Sequence, residues 1–253
     1  MSIYMDKLVL FGDSIIDYSC NPETGFVLTP ALQNEYSKKL DVIVRGYSGY
    51  NTDHAVHILP RILEAEMQEN SKIKLMVIFF GSNDASSNDI QKVPVDRFER
   101  NLREMVGSAQ EAGVLVILVG PALHEKIDSH SDDPRNTATN KIYSDIVEKV
   151  ANEFQVPFLN LWLAFLESVG WVDGEEAIPG TIGYTGSKSI SHLLSDGLHF
   201  SADGYKVFFL KLMETIRTNY SELAPESLPF ILPYWREIDS KNIVKSLFKT
   251  DSC

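Results

Sequence analysis

The run Asp196-Gly197-Leu198-His199 sets a carboxylate three residues before an imidazole, with a glycine between them that permits a tight turn. Folded that way, the acid holds Nδ1–H, fixes the tautomer and leaves Nε2 to accept a proton. An imidazole so oriented is what a serine nucleophile needs, because its hydroxyl is unreactive at neutral pH without a base in hydrogen-bond reach. Taken alone, the same residues also describe an aspartate capping the turn before a helix and a half-buried histidine.

The matching hydroxyl is Ser14, in Gly12-Asp13-Ser14. By itself that triplet is as readily a turn with an N-cap serine. Its setting says more, because it closes an apolar run, Lys7 to Phe11, and two later runs close on similar residues: Arg45-Gly46-Tyr47-Ser48-Gly49 and Gly81-Ser82-Asn83-Asp84. If the three strands are neighbours, Ser14, Gly49 and Asn83 meet at one edge of a crevice. A hydroxyl then lies beside two hydrogen-bond donors. Gly49 also has a simpler reading, as a turn glycine.

The other histidines offer less. His54 and His57 are three apart on one expected helix, a metal-compatible spacing, but no further ligand cluster accompanies them, so no metal site is expected. His124, His130 and His192 fall in expected loops with no carboxylate arranged to orient a ring. The chain has no Gly-x-Ser-x-Gly elbow, no Walker Gly-Lys-Ser/Thr and no Gly-x-Gly-x-x-Gly after its first apolar run. Hydrolysis by serine needs no cofactor, and none is expected.

The elements that must carry these groups follow from periodicity. Lys7 to Phe11, Val42 to Val44, Leu75 to Phe80, Val114 to Val119 and Val156 to Leu159 are short apolar runs suited to buried parallel strands. Between them, Ala31 to Leu40, Asp53 to Gln68, Val95 to Ala112 and Thr137 to Phe154 suit crossover helices, the third marked by Pro94 before it and Gly113 after it. A last helix begins at Ala202 or Asp203 and places Tyr205, Phe208, Phe209 and Leu212 on one face. Repeated βαβ units predict an α/β fold: a flavodoxin-like three-layer α/β/α sandwich in one domain, its five-stranded parallel sheet ordered 2-1-3-4-5. In such a sheet ligands bind beyond the carboxyl ends of the strands. Leu123 to Asn136 and Gly170 to Ser191 lack periodicity and read as surface insertions or binding loops.

Composition limits the partners. At 253 residues, 44% of them apolar, the chain buries roughly 70% or more of its unfolded surface without help from disulfides or metals. A formal charge of -12 repels phosphate backbones and anionic lipid, and Lys72, Lys74 and the Lys241, Lys245, Lys249 series are too interrupted to make a basic patch. No nucleic-acid partner is expected. Two cysteines, Cys20 and Cys253, make no disulfide framework, and the longest early apolar run, Leu8 to Phe11, is too short for a signal peptide or membrane span. A cytoplasmic protein without membrane insertion is expected; a homo-oligomer is left open.

The four ordered blocks, Gly12-Asp13-Ser14, Gly49, Gly81-Ser82-Asn83-Asp84 and Asp196-Gly197-Leu198-His199, resemble those of the SGNH hydrolases, also called the GDSL family. The resemblance implies Ser14 as nucleophile and His199 as base, oriented by Asp196. It also implies an oxyanion hole formed by the Ser14 N–H, the Gly49 N–H and the Asn83 side-chain amide. Ile15 stands where the family's older name expects leucine. From Lys7 to Trp235 the chain further resembles the fungal esterases of this family, implying hydrolysis of short-chain acetate esters of small fusel-type alcohols as small-molecule substrates. The longer stretch from Gly170 to Ser191 departs from them and is expected to reshape the alcohol side of the pocket. On this reading residues 1–253 form one domain with a C-terminal extension from about residue 222. The same machinery serves a thioesterase, a lipase or a carbohydrate acetylesterase. A different class, a non-catalytic scaffold, would dock through Tyr234, Trp235 and the apolar Ile243, Val244, Leu247 and Phe248, although such a stripe usually packs on its own domain.

Overall fold

Leu8, Val9, Leu10 and Phe11 are all fully buried although successive side chains in a strand point to opposite faces. Both faces of their strand must therefore be covered. The computed structural model describes residues 3–125, 135–172, 174–175, 177–181 and 183–248. In chain order its main elements are β1 (Asp6–Gly12), α1 (Ser14–Asp17), α2 (Leu28–Glu35), β2 (Leu40–Gly46), α3 (Thr52–Glu66), β3 (Ile73–Phe79), α4 (Val95–Glu111), β4 (Leu115–Gly120), α5 (Thr137–Phe154), β5 (Phe158–Asn160), α6 (Leu161–Ser168), α7 (Ala202–Asn219) and α8 (Ile243–Leu247).

The five strands form one parallel sheet in the order β2-β1-β3-β4-β5. Leu8 and Leu10 join Val77, Phe79, Ile117 and Val119 in a core covered by α2, α6 and α7. Val9 and Phe11 join Met76, Ile78, Val116 and Leu118 in a second core covered by α3, α4 and α5. This is the expected three-layer sandwich, and each fully buried large side chain contributes about 1.5–3 kcal/mol.

Register decides where the site lies. Gly12 pairs with Gly46 on one side and with Phe79 on the other, so β1, β2 and β3 end level. The loops after them leave the sheet together, at the switch in strand order where a crevice opens. The Tyr47 N–H donates to the Gly12 carbonyl at 2.9 Å and continues the β1–β2 junction into the loop.

Several boundaries differ from the periodicity. The helix expected from Ala31 to Leu40 runs instead from Leu28 to Glu35. Pro30 lies in its first turn, where a missing N–H costs no helical bond, and Lys38 has φ of 64°, which ends the helix before β2. Asp13, not Ser14, caps α1, with its carboxylate accepting from the Ile15 N–H. Helix α6 was not expected; it follows β5 directly, capped by Asn160, with its apolar residues largely buried. Of the stripe, Ile243, Val244 and Leu247 lie in α8 and Phe248 follows it; Ile243 and Val244 are more than half exposed, Leu247 is partly buried, and the residue α8 buries is Ser246. Among the described residues no helix is long and apolar enough to cross a membrane.

One contact fastens the two ends of the chain. Tyr205, fully buried on α7, donates its hydroxyl to the Ile15 carbonyl at 2.7 Å. Tyr205→Phe leaves that carbonyl without its donor, and the expected loss is about 1–3 kcal/mol in urea unfolding with an unchanged m value. A loss below about 0.5 kcal/mol would contradict the anchoring role.

Candidate active site

Ser14 opens α1 immediately beyond β1, so its N–H belongs to a first helical turn and has no intrahelical acceptor. The Asp13 cap, with Tyr205 behind Ile15, fixes that turn. The serine is almost wholly buried.

His199 arrives from the far end of the chain on a closed loop. Leu194 and Phe200 form an antiparallel bridge, and the Ser195 N–H donates to the His199 carbonyl at 2.8 Å. Gly197 sits between them at φ of 88°, the left-handed region that a side chain disfavours. That turn lets Asp196 Oδ1 accept the N–H groups of Leu198 and His199 at 3.0 and 2.8 Å while its Oδ2 lies 2.7 Å from His199 Nδ1. A carboxylate only accepts, so Nδ1 carries the hydrogen and Nε2 is the acceptor. Nε2 lies 2.9 Å from Ser14 Oγ.

Gly49 and Asn83 stand on the loops after β2 and β3, and with Ser14, Asp196 and His199 they line one cavity of about 300 Å³. All five residues singled out in the sequence therefore meet at one crevice. Gly49 has φ of 81°, and a Cβ built there meets nothing nearer than Gln91 Nε2 at 3.8 Å. Backbone handedness, not crowding by neighbouring atoms, calls for glycine.

The loops are braced by Asp84. Its Oδ1 accepts the backbone N–H of Thr52 at 2.9 Å and the Thr52 hydroxyl at 2.5 Å, tying the loop with Asn83 to the start of α3, three residues after Gly49. Asn51 caps that helix, with the His54 ring nitrogen returning the bond, so His54 is a capping residue. Among the described residues no group of three or more His, Cys, Asp and Glu side chains is placed to hold a metal. His124 is buried between strand β4 and α5, His192 sits in a short turn before the Asp196 loop, and His130 lies outside the described residues.

Three contributors to the cavity gave no sequence signal: Tyr18, Gln91 and Arg135. The Tyr18 ring packs 4.9 Å from the His199 ring. Arg135 comes from the aperiodic Leu123 to Asn136 stretch, of which residues 126–134 lie outside the described set. The described residues of Gly170 to Ser191 do not line the cavity; Trp171 and Ile190 are buried, and Gly180 lies against His124 and Thr137. A lone glutamine and arginine in loops have no periodicity to reveal them.

The carboxyls divide by environment. Burial works against ionisation of Asp196, but the hydrogen bonds from the His199 ring and from the N–H groups of His199 and Leu198 outweigh it, holding this acid well below the usual carboxylate range. Burial dominates at Asp13 and lifts it to about 6, despite the Ile15 N–H and the nearby His199 and Arg135. Burial likewise lifts Asp84 to about 7 against its bonds from Thr52, with Asp13 adding repulsion. Neither Asp13 Oδ2 nor Asp84 Oδ2 has a hydrogen-bond partner among the described residues.

Comparisons with known proteins bear on the family and the fold. Residues 10–207 match the model of the GDSL-like Lipase/Acylhydrolase family. The chain is 36% identical over 255 residues to the isoamyl acetate-hydrolyzing esterase of Saccharomyces cerevisiae, covering 94% of this chain and 98% of that protein. It is 33% identical to the isoamyl acetate-hydrolyzing esterase 1 homolog of Bos taurus, covering 92% and 88%. A crystal structure of the lipase/acylhydrolase from Enterococcus faecalis shares the fold with a TM-score of 0.63 at 24% identity, covering 89% of this chain and 98% of that one.

The raised carboxyls set a pH dependence. At Asp13 and Asp84 the folded chain holds protons that the unfolded chain has lost between about pH 4 and 7, so the contribution of these two groups to stability falls as pH rises through that window. Asp196 acts in the opposite sense, with a contribution lost as pH falls below the usual carboxylate range. Asp84→Asn should flatten the decline between pH 5 and 8 in denaturant titrations. An unchanged slope would show that Asp84 is ionised throughout.

Proposed function

This chain belongs to the GDSL-like lipase/acylhydrolase family and is a carboxylic ester hydrolase, and we propose that it cleaves short-chain acetate esters of small alcohols through an acyl-enzyme on Ser14. The observation that carries the reading is the line of contacts from Asp196 through His199 to Ser14, 2.7 Å and 2.9 Å long. In this reading Ser14 Oγ attacks the ester carbonyl as its proton passes to His199 Nε2. The Asp196 carboxylate holds the imidazolium in place. The carbonyl oxygen, now negative, is met by the N–H groups of Ser14 and Gly49 and by the Asn83 amide, each donor being worth about 2.7–4 kcal/mol of barrier in comparable sites. Collapse breaks the ester C–O bond, and the leaving alcohol takes the proton from His199. Water then adds to the acyl-enzyme with His199 as base, and the acid is released with Ser14 restored.

Two observations support a small substrate. The cavity of about 300 Å³ lies at the lower limit for ligand pockets, and its lining mixes polar and apolar surface. The similar yeast and bovine proteins carry isoamyl acetate in their names. Residues 1–253 serve in this reading as one catalytic domain, with the extension from about residue 222 outside the chemistry.

A panel of p-nitrophenyl acetate, longer acyl esters, isoamyl acetate and acetylated sugars tests the reading. Acetates of small alcohols should be the best substrates. Ser14→Ala and His199→Ala should each lower kcat by about 10⁶-fold, and Asp196→Asn by about 10⁴-fold, with folding intact. Strong preference for long acyl chains or for sugar acetates would overturn the substrate, and full activity of either alanine variant would overturn the mechanism.

A further inference from the structure

Arg135 stands immediately before Asn136, the residue that caps α5, and lines the cavity together with His199 and Asn83. Three of the contacts its guanidinium makes are with described residues there. Nε donates to the Ser82 carbonyl at 3.1 Å, and one terminal nitrogen donates to Asn83 Oδ1 and to Gln91 Oε1, each at 2.9 Å. A guanidinium only donates, so the atom that each amide turns toward it is oxygen.

The consequence for the two amides is directional. With Oδ1 held by Arg135, and by Gln91 Nε2 at 3.2 Å, the Asn83 nitrogen faces the other way and donates one hydrogen to the Tyr50 carbonyl at 2.8 Å. Its second hydrogen is left for the cavity that Asn83 lines. Gln91, its own oxygen held by Arg135, turns Nε2 toward the Gly49 carbonyl at 3.3 Å, and its backbone carbonyl accepts from Asn51 Nδ2 at 2.8 Å. One cation thus fixes the orientation of both amides that border Gly49 and Asn83. An amide flip at Asn83 would present its oxygen to the Tyr50 carbonyl and its nitrogen to the guanidinium and to Gln91 Nε2, three repulsive contacts in place of three bonds. Withdrawal of electron density from Oδ1 by a charged donor also makes Nδ2–H a stronger donor.

We infer that Arg135 is a positioning residue for the oxyanion-binding side of the site, orienting the Asn83 amide so that its N–H meets the developing negative charge. The inference rests on the reading of Asn83 as an oxyanion donor given above. It assigns to a residue at the start of α5 a role in turnover that no strand-end motif carries.

The test is a cycle of Arg135→Ala, Asn83→Ala and the double variant in the full chain, assayed with p-nitrophenyl acetate beside Ser14→Ala and Arg135→Lys. Asn83→Ala should lower kcat by about 10²–10³-fold. Arg135→Ala should lower kcat by about 10–100-fold with KM within about threefold, because the interaction it supports is made in the transition state. In the Asn83→Ala background the further loss on removing Arg135 should shrink to less than about threefold, since there is no longer an amide to orient. Arg135→Lys keeps the charge without the planar fork and should recover part of the loss at near wild-type Tm. It decides the matter if the alanine variant does not fold. Wild-type kcat in Arg135→Ala or Arg135→Lys, or equal losses with and without Asn83, would overturn the inference. If Ser14→Ala and Asn83→Ala lose activity and Arg135→Ala does not, Arg135 alone is misassigned; if Ser14→Ala stays active, the underlying reading falls instead.

Discussion

The 2.9 Å contact between Ser14 Oγ and His199 Nε2 joins side chains 185 residues apart, and the larger features of the fold bear on it. One partner is held by the end of the central strand β1 and the Asp13 cap. The other is held by a loop that closes through the Leu194–Phe200 bridge and runs into α7. The two supports are locked together by Tyr205, whose hydroxyl reaches the backbone directly behind the serine. A buried hydrogen bond of this kind contributes about 1 kcal/mol net, far less than the apolar layers on either side of the sheet. Those layers supply the stability; the polar contacts select which arrangement of the loops is populated.

Charge is distributed around the contact by burial. Asp196 is the carboxyl that keeps solvent access, is well hydrogen-bonded and stays ionised, which suits an acid that must stabilise an imidazolium. Asp13 and Asp84 are carried by neighbouring strand-end motifs, yet both are sealed from water and lifted into the neutral range. Their work is to cap α1 and to tie the Asn83 loop to Thr52. Three aspartates in similar surroundings of glycine and polar residues thus do different things, because ionisation follows the balance of desolvation against donors.

Much of this was legible in the sequence for identifiable reasons. Buried parallel strands demand apolar residues on both faces, so runs such as Leu8 to Phe11 were visible, and the strand order followed from the βαβ alternation. Ser14, Gly49, Asn83, Asp196 and His199 were readable because strand ends and a tight turn confine them to short local patterns. Helix α2 was misplaced because Pro30 reads as a helix start when it sits inside the first turn, and α6 was hidden because its residues are apolar on nearly every face. Gln91 and Arg135 were invisible for a different reason: they act across 8 and 52 residues on Asn83, from loops whose course no local periodicity records.

Whether His199 activates Ser14 as a nucleophile is read out by covalent capture. The intact protein is treated with an organophosphonate ester probe, and the adduct is weighed by mass spectrometry and mapped by proteolysis. One probe per chain is expected, on Ser14, with labelling slowed by orders of magnitude in His199→Ala. Full enzymatic inhibition with Ser14 unlabelled, or equal labelling with and without His199, would contradict that reading.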